Sequence, residues 1–364
     1  MNIEKKILLN PGPATTSDLV KYAQVVPDIC PREDEFVNLM KTVSKELLEF
    51  VTDKPNEYSS VLFGGSGTAG MDVVINSVIA PNKKLLIINN GDYCERFKEI
   101  AKTYNIEVIE IKYELFEKIN IEDVENILIS NPEIEYIATV HHETSSGILN
   151  PVKEIGELSK KYNKCFILDA ISTYGVIPMK IEELNVDFMI STSNKCIQGM
   201  PGLCFIFSKI ESLELIKNYP KRSYYLDLYS QYANFEKSGE MRFTPPVQTV
   251  YALKQAINEL KEEGGVEKRF QRYSKLNQLL IKGVEKLGFE VITPKDSLSN
   301  ILFSINTPNN FNFKQVHDQL YKLGFTIYPG KVSAKNNYFR LATMGNLNQK
   351  DIEKFLETFE KILN

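Results

Sequence analysis

The stretch "VDFMISTSNKCIQGMPGLCFIF" (residues 186–207) places a polar loop with one lysine, Lys195, between two apolar runs. The runs "VDFMI" and "LCFIF" are short and rich in β-branched and aromatic residues, so each predicts a buried β-strand. A lysine in a buried turn loses hydration unless its amine has a partner or a task. The loop is therefore either an ordinary solvated turn or a place where an amine is held beside a cofactor.

Outside this stretch, short apolar runs alternate with amphipathic segments of helical period. Apolar strands separated by helices predict an α/β fold, with a mainly parallel sheet of the seven-stranded type sandwiched between helices. The predicted strands include "YSSVLFGGSG", "KKLLIINNGDY" and "KCFILDAISTYG", and the predicted helices include "TAGMDVVINSVI" and "VKEIGELSKKYN".

The pattern changes after about residue 264. A long amphipathic helix, "VEKRFQRYSKLNQLLIKGVEKLG", is followed by strands and helices that alternate, which predicts a smaller α+β domain. The segment "KILLNPGP" is predicted to pack back against it. We therefore expect a large α/β domain over residues 16–263 and a small domain made of residues 1–15 and 264–364.

The composition is that of an ordinary globular protein, with 43% hydrophobic and 25% charged residues and a net charge of -4. This charge argues against a general nucleic-acid or membrane surface. The N-terminal apolar stretch is too short for a signal peptide, and no run reaches the roughly 18–20 residues that span a bilayer. Five scattered cysteines and three histidines predict reduced thiols, a cytoplasmic location and no metal centre.

Five turns that follow predicted strands are small, polar or charged. Ligands of parallel α/β sheets bind outside the carboxyl ends of the strands, so we expect these turns to converge on one site. The turns are "GGSGT", "NNGDY", "HHETSSG", "DAIST" and "STSNK".

The turn "GGSGT" (residues 64–68) stands between a predicted strand and a predicted helix. Its glycines allow close approach of an anion, and the helix N-terminus supplies free N–H groups and partial positive charge. The same residues also suit a tight turn with capping hydroxyls. The spacing is neither that of a phosphate-binding loop of the Walker type nor that of a dinucleotide fingerprint.

A carboxylate and a lysine form the second candidate feature. Asp169 ends an apolar strand, and Lys195 lies 26 residues later, with one further helix–strand unit predicted between them. A carboxylate and an amine at neighbouring strand ends suit the ring nitrogen and the aldehyde of pyridoxal 5'-phosphate (PLP). Asp169 is otherwise interpreted as a cap of the segment that follows it.

With these motifs in place, the chain resembles the fold-type I, class V PLP-dependent aminotransferases. The supporting segments occur in family order between residues 8 and 345. They are "LLNPGPATTS", "CPREDEF", "GGSGT", "NGDY", "HHETSSGILNP", "LDAISTYG", "STSNKCIQGMPG", "RFTPPVQ", "IYPGK" and "FRLATMG".

The resemblance implies a role for each matching residue. Lys195 would form the Schiff base with PLP and then move the proton, and Asp169 would pair with the pyridine nitrogen. Arg340 would bind the anionic end of the substrate. The further implied cofactor contacts are Ser66, Gly67, Thr68 and Ser193 at the phosphate, Tyr93 on the pyridine ring, Thr144 near the phenolic oxygen, and Thr244 at a phosphate across a dimer interface.

Some of these residues also suit a purely structural role. Tyr93 can simply pack, Thr244 can cap a helix, and Arg340 can pair with a structural carboxylate. We interpret His142 as a satisfied core or pocket residue and Arg32 as a loop anchor. Glu143 is expected either to stabilise its loop or to contact substrate.

The resemblance also implies an activity. The motifs are similar to those of enzymes that transfer the amino group of 2-aminoethylphosphonate to pyruvate by a ping-pong mechanism, giving phosphonoacetaldehyde and L-alanine. Such an enzyme would serve phosphonate catabolism, act as a homodimer with shared active sites and bind no nucleic acid. The main alternative is a related aminotransferase that acts on alanine or serine with glyoxylate or pyruvate.

Two more distant alternatives are disfavoured by particular residues. A PLP-dependent desulfurase or lyase is disfavoured because no cysteine lies in an obvious mobile catalytic loop, and Cys196 is too close to Lys195 in sequence to act as a separate delivery arm. A non-catalytic binding protein would have no use for the Lys195–Asp169 pair, because both groups are costly to bury without a cofactor.

Overall fold

The computed structural model describes residues 3–330 and 337–364. Its strands form a main sheet of seven strands and three smaller sheets within these ranges. The strands are β1 Ile7–Leu8, β2 Tyr58–Gly64, β3 Lys84–Asn89, β4 Val108–Lys112, β5 Ile134–Val140, β6 His142–Glu143, β7 Ile148–Leu149, β8 Cys165–Asp169, β9 Phe188–Thr192, β10 Leu203–Lys209, β11 Leu302–Asn306, β12 Phe325–Thr326, β13 Tyr328–Pro329 and β14 Tyr338–Ala342. The helices are α1 Asp18–Tyr22, α2 Asp34–Leu48, α3 Gly67–Val78, α4 Asp92–Thr103, α5 Ile121–Ser130, α6 Val152–Lys161, α7 Ile210–Leu215, α8 Leu228–Ser238, α9 Val247–Glu262, α10 Gly265–Lys286, α11 Phe313–Lys322 and α12 Gln349–Leu363.

The main sheet has the strand order β2-β10-β9-β8-β5-β3-β4. All neighbouring pairs are parallel except those of β10, which runs antiparallel to both β2 and β9. The central strands are buried along nearly their whole length, as their continuous apolar runs predict. The predicted fold class, a mainly parallel sheet of seven strands, is confirmed.

Helices cover both faces of this sheet. Along β3, Leu85 and Ile87 belong to the core on one face, whereas Leu86 and Ile88 belong to the core on the other. This alternation is the two-residue period of a strand. Since both sets are fully buried, the sheet lies inside the molecule and offers only its edges and strand ends for binding.

The C-terminal part has its own three-stranded sheet, in the order β11-β14-β13, and its own apolar core. Strand β1 pairs with β12 in parallel, with Ile7 opposite Phe325. The N-terminal segment therefore packs against the C-terminal part of the chain, as a small domain of residues 1–15 and 264–364 would require. The division into two domains stays a prediction.

One expected element is different in the structure. Between β8 and β9, where the sequence suggested a helix–strand unit, hydrogen-bonded turns replace the helix. Gly175 has a left-handed φ of 82°, which interrupts a right-handed helix, and a Cβ added there would lie 3.3 Å from the backbone nitrogen of Ile197. Pro178 follows three residues later and lacks an N–H donor. The prediction of a helix here was wrong.

Within the described ranges, no helix has both the length and the apolar character needed to cross a membrane. The predicted strand "FTIYPG" is present as β12 and β13. Lys331, which ends the motif "IYPGK", lies outside the described residues.

Candidate active site

Lys195 lies in the turn that follows β9, at the carboxyl edge of the main sheet. Its Nζ donates a hydrogen bond to the carbonyl oxygen of Pro11, and its own carbonyl accepts from the backbone N–H of Gln198 at 2.9 Å. Burial lowers the pKa of the Lys195 amine from 10.5 to about 8. At pH 7 about a tenth of the amine is therefore neutral, and so nucleophilic, far more than for a lysine with the ordinary pKa.

An N-terminal segment crosses directly over this amine. Gly12 has a φ of 122°, and a Cβ at that position would lie 2.3 Å from Nζ of Lys195. The backbone N–H of Ala14 donates to the carbonyl of Asn194 at 2.9 Å, which ties the segment to the lysine turn. Only glycine allows the chain to pass this close to the amine.

Asp169 ends β8, the strand that lies next to β9. The register pairs Asp169 with Ile190, so the carboxylate and the lysine turn lie at the same edge of the sheet. The side chain is 2% exposed, and its Oδ1 accepts from the backbone N–H of Ile171 at 2.8 Å. Burial, followed by the nearby Glu143 charge, raises the pKa of Asp169 to about 7. A cationic ring nitrogen at this place would hold the carboxylate in its charged form.

The glycine turn before α3 has the geometry of an anion site. Ser66 is the N-cap residue, but its hydroxyl caps no helix amide and is exposed. A Cβ on Gly67 would lie 2.7 Å from Cδ1 of Ile171, so the backbone here packs closely against the segment after Asp169. The first N–H groups of α3 have no partner within the helix and carry its partial positive charge.

The two hydroxyls predicted at the phosphate differ in their surroundings. Oγ1 of Thr68 accepts a hydrogen bond from Nη1 of Arg96 at 2.8 Å. Ser193 is fully buried, and its hydroxyl donates to the carbonyl of Met200 at 2.5 Å. A phosphate contact by Ser193 would need its hydroxyl to change partners, so this contact stays a prediction.

Tyr93 lies in the first turn of α4, after the turn "NNGDY". Its backbone N–H donates to Oε2 of Glu143 at 3.1 Å, which fixes the start of the helix. The guanidinium carbon of Arg96 lies 4.7 Å from the centre of its ring. Tyr93 thus stands at the edge of the sheet where the cofactor is predicted, and its stacking on the pyridine ring stays a prediction.

The contacts of Glu143 support one of its two interpretations, that of a residue that stabilises its loop. The residue is fully buried, and its carboxylate accepts from the hydroxyl of Ser145 at 2.6 Å and from the first amides of α4. A Cβ on Gly91 would collide with this carboxylate, so the helix start packs tightly on it. Burial raises the pKa of Glu143, and these hydrogen bonds oppose the rise. Glu143 therefore stabilises its loop and joins that loop to α4.

Arg340 lies on β14 and is 8% exposed. Its Nη1 donates to the carbonyl of Thr144 at 3.0 Å, and its Nε and Nη2 both donate to the carbonyl of Pro329. In the described part of the chain it has no carboxylate partner, so the alternative of a structural ion pair finds no support. Three contacts with neutral carbonyls leave two of its five N–H donors and its full charge for an external anion.

Arg340 and Lys195 belong to one site although they come from different sheets. The backbone N–H of Ala342 donates to the carbonyl of Leu9 at 3.0 Å, and Pro11, two residues further on, accepts from Lys195. Burial is the largest cause of the lowered pKa of Lys195, and the positive charge of Arg340 lowers it further.

The remaining residues of interest occupy supporting positions. The ring nitrogens of His142 lie 3.3 and 2.9 Å from two serine hydroxyls, which confirms it as a satisfied core residue. Arg32 donates to Glu240 and to the carbonyl of Met241, which confirms it as a loop anchor. Thr244 is exposed and does not cap α9, whose N-cap residue is Pro246.

Three residues at the site were not singled out from the sequence: Pro11, Gly12 and Arg96. Pro11 and Gly12 belong to a motif that carried the resemblance, but nothing in the sequence pairs them with a lysine more than 180 positions away. Arg96 follows Tyr93 by three residues on one helix, so this spacing could have indicated that the two side chains are neighbours.

The comparisons with known proteins agree with this geometry. The chain belongs to the family of class V aminotransferases, whose conserved region matches residues 19–351. The resemblance drawn from the sequence is thereby confirmed.

Individual relatives and solved structures are similar to this chain over most of its length. A 2-aminoethylphosphonate--pyruvate transaminase of Phocaeicola vulgatus is 41% identical over 317 residues, which cover 86% of this chain and 87% of the relative. Among solved structures, the ureidoglycine-glyoxylate aminotransferase of Bacillus subtilis has a TM-score of 0.90 at 25% identity, covering 100% of this chain and 94% of that one. The alanine--glyoxylate aminotransferase of Nostoc sp. has a TM-score of 0.91 at 23% identity, with 100% and 97% coverage, and supports the fold.

PLP is the cofactor of this family, and the described residues fit it. A partly buried amine with a lowered pKa, a buried carboxylate one strand away and a glycine turn at a helix start are the three groups that its aldehyde, ring nitrogen and phosphate require. Lys195, Asp169 and residues 66–68 would hold it.

Proposed function

We propose that this protein transfers the amino group of 2-aminoethylphosphonate to pyruvate and releases phosphonoacetaldehyde and L-alanine. The observation that carries this proposal is Arg340, a buried guanidinium with no carboxylate partner in the described chain, held at the same site as the Lys195 amine. The relative of that name, 41% identical over most of both chains, supports the choice of substrates.

When bound, PLP carries the amino group between the two substrates and accepts the electron pair of the C–H bond that breaks beside the substrate nitrogen. The chain must therefore supply a base for that proton, a counter-charge for the ring nitrogen and a site for the substrate anion. Lys195, Asp169 and Arg340 supply these three functions.

Lys195 acts at its Nζ as the general base and acid. With PLP and substrate bound, the neutral amine would take the proton from the substrate carbon and hold it at Nζ for its return. A pKa of about 8 suits both directions, because the group can gain and lose a proton near neutral pH. The carbonyl of Pro11 orients the amine, and Gly12 leaves it room.

Asp169 holds a positive charge at the ring nitrogen. Its burial means that the carboxylate has little competing solvent, so a cation placed against it gains a strong interaction. The backbone N–H of Ile171 fixes Oδ1 and thereby orients the carboxylate.

Arg340 binds the phosphonate in the first half of the reaction and the carboxylate of pyruvate in the second. Both anions present two oxygens that match the planar fork of a guanidinium. The carbonyls of Thr144 and Pro329 hold the fork in place without neutralising it. One anion site used in turn by two substrates requires that the first product leaves before the second substrate binds, which is a ping-pong order.

The test is a product assay with purified protein and PLP. Incubation with 2-aminoethylphosphonate and pyruvate should yield phosphonoacetaldehyde and alanine in equal amounts. The competing assignment predicts activity with alanine or serine and glyoxylate, so the same protein is assayed with these pairs. If those pairs react and the phosphonate does not, the proposed substrate is wrong while the aminotransferase class stands.

We further infer that the protein is a homodimer and that Thr244 binds the cofactor phosphate of the partner subunit. The exposed segment before Thr244 carries aromatic side chains: Tyr224 is 80% exposed, and the rings of Tyr225 and Phe243 stack at 5.1 Å. Such a surface suits contact with a second copy. Arg32 anchors this loop through Glu240 and the carbonyl of Met241.

Hybrid dimers test this sharing directly. In a dimer of one Lys195→Met subunit and one Thr244→Val subunit, sharing leaves one site with both residues intact, so its PLP affinity should equal that of the unaltered protein. If Thr244 serves its own subunit, the sole site with a lysine lacks the hydroxyl, and its affinity should fall. Size-exclusion chromatography with light scattering supplies the oligomeric state.

We propose three further properties of the protein. We propose a cytoplasmic location, supported by five cysteines that are free in the structure. We also propose a role in the breakdown of phosphonates and a division of the chain into a large domain of residues 16–263 and a small domain.

A further inference from the structure

Arg96 is a cation at the cofactor site for which the proposed reaction has no use. It lies on α4, one turn after Tyr93, and reaches the first turn of α3 through its hydrogen bond to Thr68. It is partly buried and, among the described residues, makes no ion pair with a carboxylate. A partly buried guanidinium without a carboxylate beside a helix N-terminus indicates that an anion completes its surroundings.

The contact with Thr68 determines what that hydroxyl can do. A threonine hydroxyl has one O–H to donate and lone pairs to accept with. Because Nη1 of Arg96 donates to Oγ1, the hydroxyl is an acceptor toward Arg96, and its own proton must point elsewhere. In the described chain that proton has no acceptor, so it remains available to a ligand at the start of α3.

Tyr93 holds the guanidinium in this orientation. The guanidinium carbon lies 4.7 Å from the ring centre, within the range of a cation–π contact. The backbone N–H of Tyr93 donates to the buried carboxylate of Glu143, which anchors the start of the helix that carries both Tyr93 and Arg96. Contacts therefore run without a gap from Glu143 through Tyr93 and Arg96 to Thr68.

We propose that Arg96 is a positioning residue of the cofactor site, which turns the Thr68 hydroxyl into a hydrogen-bond donor to the phosphate of PLP and adds positive charge behind it. Charge-assisted hydrogen bonds of this kind are stronger than neutral ones, and a hydroxyl that accepts from a cation is a better donor. Burial is the largest cause of both pKa shifts at the site, raising the pKa of Asp169 and lowering that of Lys195. The charge of Arg96 opposes the rise at Asp169 and adds to the lowering at Lys195.

The test measures the affinity of the apoprotein for PLP. The chain has 18 tyrosines and no tryptophan, so quenching of tyrosine fluorescence by PLP reports binding. Arg96→Met should weaken PLP binding about 10- to 100-fold, the usual effect of losing a hydrogen bond linked to a charge. Thr68→Val should weaken PLP binding by a similar factor. The double variant should bind PLP at most about threefold more weakly than the weaker-binding single variant, because both substitutions act on one contact.

Pyridoxal, which lacks the phosphate, provides the specificity control. If Arg96 acts through Thr68 on the phosphate, Arg96→Met should change pyridoxal affinity at least about tenfold less than PLP affinity. Lys102→Met removes a positive charge from the same helix at an exposed pair with Glu99, and should leave PLP affinity within about twofold. Losses that are additive in the double variant, or equal for PLP and pyridoxal, would overturn the proposal.

Arg96→Lys keeps the test decisive if the methionine variant does not fold. Lysine retains the charge but has no planar fork to serve the ring and the hydroxyl together, so its loss should be smaller and should still be coupled to Thr68→Val. The proposal rests on the proposed function only for the use of PLP. No amino donor is present in the titration, so rejection of the phosphonate as substrate would not affect the proposed role of Arg96. Unchanged PLP affinity in Arg96→Met would refute that role and leave the proposed function untouched.

Discussion

The cofactor side and the substrate side of the site are built in different ways. The cofactor side consists of turns at the ends of adjacent strands of one buried sheet, with Asp169 and Lys195 on neighbouring strands β8 and β9. On the substrate side, Arg340 comes from the C-terminal sheet and is held by carbonyls of Thr144 and Pro329. The first arrangement follows from the sheet, whereas the second depends on contacts between distant parts of the chain.

This difference indicates a division of tasks. The main sheet fixes groups that every aminotransfer reaction needs, and the C-terminal sheet brings the group that selects the substrate anion. If so, substitutions on the cofactor side should lower the activity with all substrates, and substitutions on the substrate side should lower it only with anionic substrates. Substitutions on the two sides of the site test this separation.

Lys195→Met should abolish amino transfer with every donor, by more than about 10⁴-fold, because both the nucleophile and the proton carrier are lost. The measurement is turnover with 2-aminoethylphosphonate, alanine and serine as donors. Methionine fills similar space without a charge, so the melting temperature of the apoprotein should not fall. Substantial remaining activity with any donor would show that another group moves the proton.

Arg340→Met should lower kcat/KM for 2-aminoethylphosphonate by about 30- to 1,000-fold, since a charge-paired anion contact is worth about 2–4 kcal/mol. PLP affinity should stay unchanged. Ethylamine, which lacks the phosphonate, should react at the same low rate with both proteins.

Arg222→Met is the matched control for this variant. Arg222 is partly buried and, like Arg340, donates to two backbone carbonyls, those of Asn76 and Ile79. These carbonyls lie at the C-terminal end of α3, the end opposite the glycine turn. It should leave kcat/KM for the phosphonate intact. An equal loss with Arg340→Met and Arg222→Met would mean that the effect arises from general destabilisation.

Asp169→Asn should remove a pH dependence of stability from the apoprotein. Folding raises the pKa of Asp169 from 3.8 to about 7, so the stability that its protonated form contributes is lost as pH rises from about 4 to 7. Between pH 5 and pH 8, the unaltered apoprotein should therefore lose about 2–3 kcal/mol relative to the variant. Denaturant unfolding at the two pH values measures this, and identical pH profiles would show that the carboxyl is not buried as described.

Gly12→Ala should slow PLP capture by about 3- to 30-fold, because its Cβ would meet Nζ of Lys195 and strain of about 1–2 kcal/mol follows. Gly265→Ala is the control: φ there is also left-handed, at 83°, but no atom lies within 4 Å of the added carbon. Both variants carry the backbone strain, and only Gly12→Ala should alter the reaction with PLP. Equal rates of capture for the two would contradict the close approach.

The same contrast explains how much the sequence could reveal. The strands, the turns and the Asp169–Lys195 pair were predictable because apolar period and strand-end chemistry are local properties. The prediction of a helix between β8 and β9 was wrong, because spacing alone does not reveal that Gly175 packs against the lysine turn. The carbonyl that accepts from Lys195 was not predictable, because Pro11 reaches it only through the pairing of β1 with β12.

The most direct test of the central claim is a single half-reaction. Holoenzyme without any keto acid is mixed with 2-aminoethylphosphonate, and the absorbance of bound PLP is followed as it converts to that of the pyridoxamine form. We predict fast and complete conversion by the phosphonate in the unaltered protein, slow conversion by alanine or serine, and loss of the phosphonate's advantage in Arg340→Met. Conversion by alanine and serine but not by 2-aminoethylphosphonate would contradict the account.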